Sequence, residues 1–99
     1  MSEGSEILRR LLSSEVKGDL LVLFHKNPGL IDKAEGVARR IGRIASAIEA
    51  DVKDLMDLGV LKRKRIGRSE VILLDRARDK EVQDIVANYL KSLKTTKGA

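Results

Sequence analysis

The chain has 99 residues, 42% of them apolar and 35% charged, with 20 Lys and Arg against 15 Asp and Glu for a net charge of +5. That length and balance suit one small domain with a modest core and exclude a disordered or fibrous chain. Cysteine is absent, which excludes disulfides and thiolate metal sites and fits a cytoplasmic protein.

The longest apolar run, Leu-Leu-Val-Leu-Phe, falls far short of the ~20 residues that span a bilayer, so no membrane association is expected. The polar, acidic start carries no signal-peptide pattern. Phe24 and Tyr89 are the only aromatic residues, which argues against modules that stack RNA bases on aromatic platforms. The positive balance favours an anionic partner.

In chain order, Ile7, Leu8, Leu11 and Leu12 have the spacing of a short amphipathic helix. Ser13 or Ser14 can cap the next one. That helix carries Val16, Leu20, Leu23 and Phe24 on one stripe, widened by Leu21 and Val22, and is expected to be buried on most of its girth. Asn27-Pro28-Gly29 stops it. Leu30-Ile31 is long enough only for an extended bridge. Asp32 followed by Glu35 resembles a capping box opening a helix over about 33–41, with Val37, Ala38 and Ile41 inward and Gly42 at its end.

A further helix starts almost at once, at Ile44 or Ala45, and runs to Leu58. Ile48, Val52 and Leu55 form its apolar stripe and Gly59 closes it. Residues 60–66 and 70–75 are rich in Val, Ile and Leu around Gly67, predicting a β-hairpin that turns over Ile66-Gly67-Arg68-Ser69. Val82, Ile85, Val86, Tyr89, Leu90 and Leu93 mark a last amphipathic helix before the basic, frayed tail KTTKGA.

The charge distribution is uneven. Lys62, Arg63, Lys64, Arg65 and Arg68 form a cluster with no acid until Glu70. Residues 33–43 have a net charge of +3, through Lys33, Arg39, Arg40 and Arg43 against Glu35. Residues 44–58 have a net charge of −3, with Glu49, Asp51, Asp54 and Asp57 against Lys53. A helical wheel with Ile48, Val52 and Leu55 inward turns Ser46, Ala50, Lys53 and Asp57 outward, flanked by Ala47 and Glu49. Small uncharged residues permit close approach to base edges; Ala50 can touch a thymine methyl and Ser46 a base or phosphate.

The stretch GVARRIGRIASAIEADVKDLMDLGVL resembles the helix-turn-helix of winged-helix transcription regulators, prokaryotic or archaeal, of the ArsR and MarR kind. Ala38 to Gly42 match the short helix and its glycine. Ile48, Val52 and Leu55 match the four-three stripe, and Gly59, Val60 and Leu61 its closure. The basic hairpin then falls at the position of the wing. The resemblance covers about residues 14–75, most closely 36–75. It implies an α+β winged helix-turn-helix, with a three-helix core, a two- to three-stranded wing hairpin and terminal helices. One domain over 1–99 is expected: an N-terminal helix over 1–13, the core over 14–75 and a C-terminal helix with its tail over 76–99.

The implied function is binding of double-stranded DNA by a transcription regulator, with the outward helix in the ~12 Å wide major groove and the wing on backbone or minor groove. The expected contact set is Lys33, Arg39, Arg40, Arg43, Ser46, Ala47, Glu49, Ala50, Lys53, Lys62, Arg63, Lys64, Arg65 and Arg68. Glu49 is the awkward member, since phosphates repel an acid, although a carboxylate can accept from cytosine N4.

Blander explanations exist for each signal. Lysine-rich strands block edge aggregation. Arg39 and Arg40 can merely cover a helix, and Asp51, Asp54 and Asp57 can be an ordinary solvated face. The alternative function is a winged-helix module that docks a protein and binds no DNA. His25 is alone and reads as a surface or half-buried histidine. No phosphate loop, metal-ligand spacing or catalytic set is apparent, so neither enzyme activity nor a cofactor is expected. Apolar stripes on the first and last helices, and a return strand apolar on both faces, predict a homodimer paired through the terminal helices; the alternative is that the first and last helices pack on each other within one chain.

Overall fold

The computed structural model describes the backbone of residues 3–98 and the side chains of residues 3–93. The elements are α1 (Glu3–Leu11), α2 (Glu15–Lys26), β1 (Ile31–Asp32), α3 (Ala34–Arg40), α4 (Ala45–Asp57), β2 (Leu61–Ile66), β3 (Ser69–Leu74) and α5 (Arg76–Gly98). This α+β layout is the winged helix-turn-helix that the sequence predicts.

The local signals explain most boundaries. Ser14 caps α2, its Oγ accepting from the Lys17 amide at 3.0 Å. The turn between α3 and α4 is a Schellman closure: the Arg43 amide donates to the Ala38 carbonyl at 2.9 Å and the Gly42 amide to the Arg39 carbonyl at 3.1 Å. Gly42 takes φ +72, which a residue with a Cβ adopts only under strain. The end of α4 uses the same pair of bonds, Val60 to Leu55 and Gly59 to Met56. Two turns of identical design therefore close α3 and α4.

The hairpin is the predicted one. β2 pairs with β3 antiparallel from Leu61↔Leu74 to Ile66↔Ser69, leaving the two-residue loop Gly67-Arg68. Gly67 has φ +61 and Arg68 a negative φ, the pattern of a type II′ turn, which demands glycine first and matches the twist of the strands. β1 adds a third strand on the other side of β3, through Ile31↔Leu73 and Asp32↔Ile72, so the sheet order is β1-β3-β2.

That pairing overturns the capping-box expectation. Asp32 is drawn into the sheet, and its Oδ1 accepts from the adjacent Lys33 amide at 2.8 Å. The helix begins one residue later than expected, with Lys33 as an N-cap that supplies no side-chain bond.

One core joins the elements. Leu20, Phe24, Val37, Ala38, Ile48, Leu55 and Val60 are completely buried, and Ile7, Val52, Leu61, Ile72, Leu74 and Val82 nearly so. Each large apolar side chain so buried stabilises the fold by about 1.5–3 kcal/mol. α2 is less enclosed than its composition suggests, for Val22 is 54% exposed.

The terminal helices pack on each other within the chain. α1 starts at Glu3 and ends at Leu11, inside the expected bounds. Gly4 permits the close approach to α5, since a Cβ there would lie 2.5 Å from Tyr89 Cβ. Part of the apolar surface that suggested a second subunit is thus covered internally. α5 continues as helix through the segment expected to fray, to Gly98. The side chains of residues 94–99, and residues 1–2 altogether, lie outside the described residues.

Candidate nucleic-acid interface

The outward face of α4 follows from its inward stripe. Ile48, Val52 and Leu55 are buried, and Ala47, Glu49, Ala50 and Lys53 lie on the solvent side with Ser46. The wing rises beside this face. An open groove of about 530 Å³ separates them, and Lys33, Ser46, Glu49, Arg63, Arg68 and Glu70 contribute to its walls. Five of those six belong to the expected contact set. Glu70 does not; its position opposite Arg65 in the register puts it there.

The register divides the wing cations. Arg63 and Arg65 pair with Ile72 and Glu70, on the sheet face that carries the buried Leu61, Ile72 and Leu74. Lys62 and Lys64 pair with Leu73 and Val71 on the opposite face. There Lys62 lines a separate shallow groove with Ile31, Leu73 and Arg76. All five cations of the cluster are exposed. Arg63 is held internally: Nη1 lies 3.1 Å from Glu70 Oε1 and Nε 3.4 Å from the Met56 sulfur. Lys62, Lys64, Arg65 and Arg68 have no ion-pair partner among the described residues.

The α3 cations divide as well. Arg39 is exposed and unpaired among the described residues, whereas Arg40 lies 3.5 Å from Asp32. Arg43 turns back to α2, bonded to Asp19 at 3.1 Å and 3.9 Å from Glu15, with its Nε buried and without a partner among the described residues. It fastens the helix-turn-helix to α2 and is the member of the expected set least available to an outside anion.

The acids of α4 are not a uniform solvated face. Asp51 accepts from the Ser14 hydroxyl at 2.7 Å. Asp54 receives Arg10 at 3.0 Å and also the buried Lys17 ammonium, which is bonded in turn to Ser13 and to the Arg10 carbonyl. These two cations hold the Asp54 carboxyl below its ordinary range, the Lys17 bond contributing most. Two of the four negative charges on α4 are therefore bonded to α1 and to the start of α2, away from the wing. Glu49 and Asp57 have no partner among the described residues.

Two apolar residues outside the expected set are also exposed. Ile44 is 70% exposed at the N-cap of α4, and Ile66 is 51% exposed beside the wing turn. Their apolar character points to the core, and only the turn geometry places them outside.

His25 Nε2 lies 2.9 Å from the nearly buried Asp79, which also accepts from Gln83 at 2.7 Å. This partnership accounts for the lone histidine. Among the described residues no three His, Cys, Asp or Glu side chains converge as a metal site, and no helix is long and apolar enough to cross a membrane.

No protein-family model matches the chain, and no curated protein matches it either. Solved structures do. An ArsR family transcriptional regulator superposes with a TM-score of 0.72 at 15% identity, covering 100% of this chain and 98% of that one. A possible transcriptional regulator from Methanosarcina mazei Go1 gives a TM-score of 0.60 at 12% identity, over 98% and 88% of the two chains. At such identities the likeness establishes the shared fold over the full length, and that fold is the winged helix-turn-helix.

Proposed function

We propose that the chain is a transcription regulator that binds double-stranded DNA, with α4 in the major groove and the wing on the adjacent backbone or minor groove. The observation that carries this reading is the separation of charge around α4. Asp51 and Asp54 are bonded to partners from α1, α2 and the cap of α2, while Arg65, Arg68, Lys62, Lys64 and Arg39 remain unpaired and exposed among the described residues. The exposed surface thus offers cations to phosphates beside a helix of small residues that bases can approach. The regulators that share the fold support the same reading.

The proposed contacts follow from that division. Lys33, Arg39, Arg40 and the wing cations Lys62, Lys64, Arg65 and Arg68 take phosphates, with Arg43, bonded to Asp19, and Arg63, bonded to Glu70, as internal anchors. Ser46, Ala47, Glu49, Ala50 and Lys53 face base edges. Such a protein works in the cytoplasm as a homodimer joined through α1 and α5. An apolar groove lined by Leu11, Leu21, Val82, Val86 and Leu90 runs along α5, and Leu12, next in sequence to Leu11, is 74% exposed. A pair of chains would match two half-sites about one DNA turn apart.

The test is a titration of the full chain into a labelled mixed-sequence duplex, followed by fluorescence anisotropy at low salt. Binding in the micromolar range that weakens steeply with added salt is expected. Absence of binding at tens of micromolar protein would contradict the proposal.

A further inference from the structure

Of the two acids of α4 that have no partner among the described residues, Glu49 and Asp57, Glu49 stands out. Asp51 has Ser14, and Asp54 has Lys17 and Arg10. Asp57 lies at the far C-terminal end of α4. Glu49 is the acid of α4 that places a free carboxylate in the groove between α4 and the wing, in the first half of the helix beside Ser46; Glu35 of α3 is a second carboxylate in that groove without a partner among the described residues. It has no hydrogen bond or ion pair among the described residues. Three cations line the same groove: Arg63 is committed to Glu70 at 3.1 Å and to the Met56 sulfur, and neither Lys33 nor Arg68 forms an ion pair with Glu49. The fold pairs two acids of this helix and leaves this one open.

An unpaired carboxylate facing a phosphate-lined groove lowers affinity for every sequence by repulsion. It is useful only where it meets a donor. Of the four bases, guanine and thymine present acceptors in the major groove, O6 and N7 or O4, and repel it. Adenine offers the N6 amine but sets the N7 acceptor beside it. Cytosine offers the N4 amine with a C5–H on one side and the paired guanine O6 on the other, so a carboxylate meets less opposition there than at adenine, whose N6 lies between its own N7 and the thymine O4. Ala50 next to it is too short to compete and leaves the side chain room to reach the base.

We propose that Glu49 is the residue that makes α4 selective, by accepting a hydrogen bond from cytosine N4 and rejecting the other three bases at that position. This rests on the DNA-binding reading above. The carboxylate raises discrimination at the expense of overall affinity, and the unpaired cations of the wing make up that loss.

The experiment is a selection from random duplexes by the full chain, wild type against Glu49→Gln and Glu49→Ala, with affinities for the enriched duplex and its single-base changes measured afterwards. Glu49 is exposed and makes no polar contact among the described residues, so both variants should fold as wild type. In the wild-type set one position should be fixed as cytosine, and replacing it should weaken binding roughly tenfold. The Glu49→Gln side chain, carrying both a donor and an acceptor, should move that position to adenine. The alanine variant should lose the preference there alone while binding mixed-sequence DNA more tightly than wild type. An enriched set that is the same for wild type and Glu49→Gln would overturn the role of Glu49 while leaving DNA binding intact. A wild type that retains no duplex at any salt concentration would overturn the DNA reading and this inference with it.

Discussion

Lys17 and Asp54 meet across the contact between α2 and α4. The lysine, 5% exposed, bonds the carboxylate that Arg10 reaches from α1 at 3.0 Å. The pair fastens the back of the proposed recognition helix to both N-terminal helices. Replacing Asp54 with alanine would leave the buried lysine with only neutral partners, so Asp54→Ala should destabilise the fold by roughly 2–3 kcal/mol in urea denaturation. An unchanged midpoint would show that the contact contributes nothing.

The same pair predicts a pH dependence. The Asp54 carboxyl is held below its ordinary value of 3.8 by Lys17 first and Arg10 second, so folding favours its ionised form. That stabilisation is fully present above the ordinary value and fades as pH falls through the lower folded one. The stability gap between wild type and Asp54→Asn should be constant near neutrality and close in acid, below about pH 4. A gap that persisted unchanged into strong acid would assign it to packing.

Two arginines of the helix-turn-helix, four residues apart, should behave differently. Arg39 is unpaired among the described residues, while Arg43 is bonded to Asp19. Arg39→Ala should flatten the dependence of log K for DNA on log salt by about 0.9 with little effect on stability. Arg43→Ala should lower the melting temperature and leave that slope nearly unchanged. The reverse pattern would move Arg43 to the phosphate-contacting set.

Self-association should depend on the apolar groove along α5. Leu90 is 48% exposed at its edge, and Leu12 is 74% exposed just beyond Leu11, which lines it. Leu90→Glu or Leu12→Glu should give monomers by light scattering where the wild type is dimeric. A wild type that is monomeric at high micromolar concentration would remove the homodimer.

Local signals in the sequence carried most of the fold. Ile48, Val52 and Leu55 define one face of α4 by spacing alone, and Gly67 between two β-rich runs is enough to locate the wing turn. Where pairing between distant residues decides the outcome, local reading fails. Asp32 looks like a helix cap until β3 captures it. Asp51 and Asp54 look solvated because their partners Ser14 and Arg10 are 37 and 44 residues away. Arg43 looks like one more cation of its helix, although Asp19 holds it from α2. The stripes of the terminal helices fit either a second chain or each other, and the folded chain brings Gly4 against Tyr89. The site was legible as a set of charges, but which charges are free was not.

Whether the wing grips phosphates is read most directly from the salt dependence of DNA affinity for the wild type and for Arg63→Ala/Arg65→Ala/Arg68→Ala. Each phosphate neutralised contributes about −0.9 to the slope of log K against log salt. The triple variant should bind every duplex more weakly, and its slope should be flatter by roughly two units, from the unpaired Arg65 and Arg68. If affinity and slope are unchanged, the wing is a solvated strand edge and grips no phosphate.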